Sequence, residues 1–178
     1  SRPTGLTLSQ VQGEDHSQDN PRHALDPQSW GVNRKANFLE RQTELMLAAA
    51  DAPESKRLMA RAGLARFYLS RDMVYEAKGV LDVALSNSST ASEAATEMAV
   101  LRAACNIMIG RADVGLKDLA DPAVGDQHDA PLWRALAFAK LGQWAEARER
   151  FRTVEGAIEA LPLEVQRMIL KEMVRASL

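Results

Sequence analysis

The chain has 178 residues, of which 46% are hydrophobic and 26% are charged, and its formal net charge is -2. This length and composition suffice to bury one core or a short array of stacked units, and they exclude disorder over the whole chain. The slightly acidic balance supplies no basic field of the kind that attracts nucleic acid or an anionic membrane surface. We therefore expect no nucleic acid among its partners.

Nothing in the sequence predicts direct insertion into a membrane, because no run approaches the roughly 18 apolar residues of a bilayer span. We expect a soluble protein, either cytoplasmic or periplasmic and associated with the cell envelope. The single cysteine, Cys105, excludes an intramolecular disulfide and leaves the compartment undetermined. Because the first residue is Ser, both a processed export precursor and a fragment of a longer protein fit the sequence.

Residues 1–32 are predicted to form a polar N-terminal arm. They contain three prolines and three glycines, and no helical period survives in them. Within the arm, the stretch "GLTLSQV" alternates Leu6 and Leu8 with polar residues before Val11, which is typical of an extended segment lying on a surface. We expect these three residues to anchor the arm on the helical domain of the same chain or of a neighbour.

Residues 33–178 are predicted to form a helical domain, and its first half is expected to hold four helices. Apolar residues recur there at spacings of three and four, which places them on one stripe of each helix. The first two helices cover about residues 33–51 and 54–70. The third follows "SRDMV" and stops at "SNSST", and the fourth covers about residues 91–109.

The second half of this domain is predicted to hold four more helices. Pro122 ends the fifth near Leu119, and Pro131 fits the first turn of the sixth, which ends at Gly142. The last two cover about residues 144–158 and 163–176. Strand signals are nearly absent, since the chain has 29 alanines and few aromatic residues. The sequence therefore predicts an all-α protein of about eight helices, arranged as antiparallel hairpins.

Three segments of this domain align with one another: "YLSRDMVYEAKGVL", "NIMIGRADVGLKDL" and "FAKLGQWAEARERF". Each carries a small residue in the second helix of a hairpin, and these residues are Ala77, Gly115 and Ala147. Four residues after each comes a bulky apolar residue, namely Leu81, Leu119 and Phe151. Twelve residues before each comes an alanine, at positions 65, 103 and 135. Small residues at fixed positions let two helices approach closely, so the alignment indicates a repeated hairpin.

This pattern resembles the tetratricopeptide repeat, and most of all an Ala-rich bacterial form of that family. The likeness covers about Lys56 to Glu159, with Leu163–Leu178 as a capping helix and an additional helix before the first unit. It implies hairpins stacked as a short right-handed superhelix. The chain departs from the family at Asp72, where Gly is usual, and at Asn106, where an aromatic residue is usual.

Residues that could carry chemistry are few. The only histidines are His16, His23 and His128, whose positions do not match a metal-binding spacing, and we expect them to be solvated. Cys105 lies among alanines and is predicted to be a buried small side chain. Since no Gly-rich phosphate loop occurs either, we expect no metal, no cofactor and no enzymatic activity.

The resemblance implies that the first helix of each hairpin lines a concave groove. The side chains that it places there are Arg66, Leu69 and Ser70, then Val100, Ile107 and Met108, and finally Leu132, Leu136 and Lys140. Such a groove would bind an apolar peptide or helix. The sequence thus favours a non-catalytic scaffold for protein–protein interaction. The alternative is a self-association module of a larger cell-envelope protein, which would form a homodimer through the same apolar groove.

Overall fold

A computed structural model of the chain describes residues 23–88 and 92–178. Every regular element within these ranges is a helix, so the prediction of an all-α protein is confirmed. The described residues form ten helices rather than the predicted eight or so: α1 (Pro27–Lys35), α2 (Phe38–Asp51), α3 (Glu54–Ser70), α4 (Val74–Ser86), α5 (Glu93–Met108), α6 (Ala112–Leu119), α7 (Ala130–Lys140), α8 (Trp144–Arg152), α9 (Glu155–Ile158) and α10 (Leu163–Ser177).

Helix α1 begins within the segment for which the sequence predicts no helix, so that prediction is wrong from Pro27 onward. The side chain of Asp26 accepts a hydrogen bond from the backbone N–H of Gln28 at 3.1 Å, and Pro27 occupies the first turn. The predicted helix over residues 33–51 is interrupted at Asn37, whose side chain accepts from the N–H of Glu40 at 3.2 Å. Because a capping residue has an extended backbone, one predicted helix becomes α1 and α2.

The predicted helix over residues 144–158 is also divided. Helix α8 ends at Arg152, and the hydroxyl of Thr153 donates to the carbonyl oxygen of Arg150 at 2.8 Å. Two consecutive β-branched residues, Thr153 and Val154, disfavour continuation of the helix. The short helix α9 and the following turn then lead into α10.

Three hairpins form the centre of the molecule: α3 with α4, α5 with α6, and α7 with α8. The turn of each contains one residue with a left-handed backbone, namely Asp72 (φ 61°), Gly110 (φ 84°) and Gly142 (φ 74°). In each turn the next N–H bonds to the carbonyl five residues earlier: Met73 to Tyr68 at 2.9 Å, Arg111 to Asn106 at 2.7 Å, and Gln143 to Phe138 at 2.9 Å. The same helix-ending motif therefore recurs at the three aligned positions.

The aligned small residues all lie in the core. Ala77, Gly115 and Ala147 are buried five residues beyond the three turns, and so are the bulky residues that follow them, Leu81, Leu119 and Phe151. Successive hairpins pack through α4 against α5 and α6 against α7. Helices α1 and α2 pack on α3, and α10 packs on α7 and α8. The first helices of the hairpins, α3, α5 and α7, thus form a central layer in which α5 contacts both of the others.

Candidate functional site

The side chains that the sequence places on an open apolar groove lie mostly in the core. Six of the nine are at most 2% exposed, namely Leu69, Ser70, Val100, Ile107, Leu132 and Leu136. Their helices have neighbours on several sides, because α3 contacts α1, α2, α4 and α5, and α7 contacts α5, α6, α8 and α10. The expectation of an apolar floor open to a partner is therefore wrong for these six residues in this conformation.

The other three predicted groove residues have separate roles. Met108 is partly buried against the core. The Nζ atom of Lys140 lies 3.2 Å from Oε1 of Glu172, a buried carboxylate on α10, so this lysine links α7 to α10. Arg66 is the residue that contacts a peptide segment. Its Nε donates to the backbone carbonyl of Ala24 at 2.8 Å.

The segment that Arg66 contacts is His23–Asp26, which immediately precedes α1 in the chain. It contacts α3 through Arg66 and the loop before α7 through Asp129. Ala24 and Leu25 are both 1% exposed and belong to the hydrophobic core. Nδ1 of His23 lies 2.5 Å from Oδ2 of Asp129, immediately before α7. The predicted anchors Leu6, Leu8 and Val11 lie outside the described residues. A different part of the predicted arm is therefore the one seen docked on the helices.

Arg66 also ties two helices of the layer together. Its Nη2 forms an ion pair with Oε1 of Glu97 on α5, and both side chains are largely buried. This pairing orients the guanidinium group, which leaves Nε directed at the carbonyl of Ala24. We name the surface formed by Arg66, Glu97 and Asp129 the segment-binding face. It contacts the backbone carbonyl of Ala24 and the imidazole of His23 in the docked segment.

The loop that supplies Asp129 has an unusual backbone. His128 and Asp129 both have positive φ, at 54° and 63°. His128 is 5% exposed, which contradicts the prediction that it is solvated, and neither of its ring nitrogens hydrogen-bonds to any described residue. Burial raises the pKa of the Asp129 carboxyl above its ordinary value, although the hydrogen bond with His23 acts in the opposite direction. Asp129 is therefore a buried carboxyl for which ionisation is costly.

Other reactive groups are not gathered into a site. Cys105 is buried, as predicted, and its burial raises the pKa of the thiol to about 12. No three His, Cys, Asp or Glu side chains lie together in metal-binding geometry within residues 23–88 and 92–178. Over the same residues, none of the helices combines the length and the apolar character that crossing a bilayer requires.

No protein-family model matches this chain, and no curated protein or solved structure is significantly similar to it.

The sequence points to only part of the segment-binding face. Arg66 is among the predicted groove residues, whereas Glu97, Asp129 and the docked residues His23–Leu25 are not. One local signal was present, since Asp26 followed by Pro27 is typical of a helix start. The contact of His23 with Asp129 joins residues 106 positions apart, and no sequence pattern indicates it.

Proposed function

We propose that this chain is a tetratricopeptide-like, non-catalytic module that binds an extended segment of another protein on the segment-binding face. The observation that carries the proposal is the docked segment His23–Asp26. Its contacts support the proposal: Nε of Arg66 donates to a main-chain carbonyl at 2.8 Å, and Oδ2 of Asp129 lies 2.5 Å from an imidazole nitrogen. The three recurring turns and the buried small residues support the likeness to stacked tetratricopeptide hairpins.

The partner would carry a short extended segment that resembles the docked one. Main-chain recognition by Arg66 is independent of side-chain identity, so specificity would come from the positions that fill the core and reach Asp129. A small residue followed by an aliphatic one matches Ala24 and Leu25, and a side chain that hydrogen-bonds to a carboxyl matches His23. Such a partner would displace the chain's own segment, because both use the same contacts.

The burial of the predicted groove residues disfavours the alternative of self-association through the groove. That mode would require Leu69 and Leu136 to be exposed, and both are at most 2% exposed. A partner segment that displaces His23–Asp26 would instead use the polar contacts of Arg66 and Asp129. We therefore favour segment recognition over groove-to-groove pairing.

The experiment uses a fluorescent peptide of residues 19–30, "DNPRHALDPQSW", and the full chain with Leu25→Ala, which weakens the hold of its own segment. Anisotropy titration should show saturable binding of the peptide. Binding should weaken by about tenfold or more when Arg66→Met is added, because a charge-assisted contact is lost. The matched control is Arg57→Met, an exposed arginine on the same helix, which should leave binding unchanged. Absence of binding, or equal binding by both arginine variants, would contradict the proposal.

A further inference from the structure

Helix α10 is apolar on two opposite faces. Val165, Ile169 and Ala176 form the face that is buried against the rest of the chain. On the opposite face, Leu163, Leu170 and Val174 are 65%, 48% and 59% exposed. Their spacing of seven and four residues places them on one stripe of the helix. A helix with two apolar faces is expected to be covered on both sides in its working state.

Helix α2 has a similar exposed stripe with the same spacing. Leu39 and Met46 are 69% and 51% exposed, and Ala50 follows on the same side of the helix. Beside Ala50 opens a groove of about 410 Å³ between α2, α3 and α4, lined by Leu64, Val80 and Val83 among others. The stripe on α2 therefore leads into an apolar groove that could receive side chains from another helix.

The charges beside the two stripes are opposite in sign. On α10, Arg167, Lys171 and Arg175 are exposed and recur every four residues, so they form one basic row. On α2, Glu40, Glu44 and Asp51 are exposed and form an acidic row. Glu44 is paired with Arg41 at 2.9 Å and Arg175 with Glu172 at 3.3 Å, whereas Arg167, Lys171, Glu40 and Asp51 have no ion pair within the described residues.

We propose that the α10 stripe of one copy packs on the α2 stripe and groove of a second copy, which joins the chains head to tail. Apolar stripes of the same spacing meet, and the basic row lies beside the acidic row. Pairing of two α10 faces would instead place two basic rows together, which electrostatic complementarity disfavours. Because the two surfaces differ, the contact is heterologous, and association continues beyond the dimer with rising concentration.

The test measures the mass of the full chain by sedimentation velocity from micromolar to several hundred micromolar. Leu170→Glu places a charge on the α10 stripe, and Met46→Glu places one on the α2 stripe. Both positions are exposed, so the fold is expected to survive, and circular dichroism checks this. The unaltered chain should grow with concentration. Each variant alone should remain monomeric over this concentration range, because the substitution weakens self-association by about tenfold or more.

An equimolar mixture of the two variants decides the geometry. Each variant retains one intact surface, so the mixture should form a discrete heterodimer and nothing larger. A Met46→Glu chain that dimerises alone would show α10 pairing with α10, and a Leu170→Glu chain that dimerises alone would show α2 pairing with α2. Either result overturns the proposal. An unaltered chain that stays monomeric throughout also overturns it and leaves these faces to a partner of another kind.

Discussion

Gly115 of α6 lies directly against Ala103 of α5. A Cβ atom built on Gly115 would be 2.9 Å from the carbonyl oxygen of Ala103 and 2.9 Å from Cγ1 of Ile107. The equivalent pairs in the other two hairpins are Ala77 with Ala65 and Ala147 with Ala135, and all four alanines are buried. Of the three hairpins, the middle one has glycine at this position, and its two helices are too close there to accept a Cβ atom without a shift.

Gly115→Ala is expected to lower the free energy of unfolding by about 1–3 kcal/mol, because the new methyl group overpacks a tight helix contact. The control is Gly63→Ala on α3, where an added Cβ meets nothing within 4 Å. That change should raise the free energy of unfolding by about 1 kcal/mol, because alanine has a higher helix propensity than glycine. Urea denaturation of both variants checks the pair. Equal stabilisation by both substitutions would show that α5 and α6 are not in close contact at this point.

Asp72→Gly is expected to stabilise the fold by about 1 kcal/mol, because Asp72 has a left-handed backbone that glycine adopts without strain. Its carboxylate is 86% exposed and 3.9 Å from Arg34, so loss of this pair should matter little. Gly142→Ala places a side chain at the equivalent turn and should destabilise by a similar amount. Thermal and urea unfolding check both. Destabilisation by Asp72→Gly would mean that its side chain contributes more than its backbone costs.

These turns are also the part of the fold that the sequence predicts best. Asp72, Gly110 and Gly142 end helices through local chemistry, and the small residues five positions later repeat visibly along the chain. The docking of His23 and Leu25, by contrast, depends on contacts distant in the sequence. Burial of Leu136 likewise depends on which helices pack around α7, including α10 at the far end of the domain. Local patterns therefore predict the hairpins, and tertiary packing decides which of their faces remain open.

Native Cys105 is expected to react with a thiol reagent at pH 8 roughly a thousandfold more slowly than the unfolded chain. The side chain is fully buried, and its raised pKa of about 12 leaves little thiolate at that pH. Since it is the only cysteine, the total absorbance change reports this one site. The rate should rise with urea as the protein opens. Rapid labelling of the native chain without urea would show that α5 is more accessible than its packing indicates.

Asp129→Asn is expected to change how stability depends on pH. Burial raises the pKa of this carboxyl, so between its ordinary pKa near pH 4 and the raised pKa of the folded state, the folded state binds more protons than the unfolded state. The free energy of unfolding of the unaltered chain should therefore fall relative to that of the variant as pH rises through this window, by at most about 1.4 kcal/mol per pH unit. Below the window, both states are protonated and the difference should be constant.

Urea titrations of the two chains between pH 3.5 and 7.5 measure this difference directly. The asparagine side chain can still accept a hydrogen bond from His23, so the substitution removes the ionisation and keeps the contact. Asp126→Asn serves as the control, because this nearby carboxylate is 87% exposed and its pair with Arg134 is solvent-screened. The control should follow the unaltered chain closely. A constant difference between the unaltered chain and Asp129→Asn over the whole range would mean that the carboxyl is hydrated rather than buried beside His23.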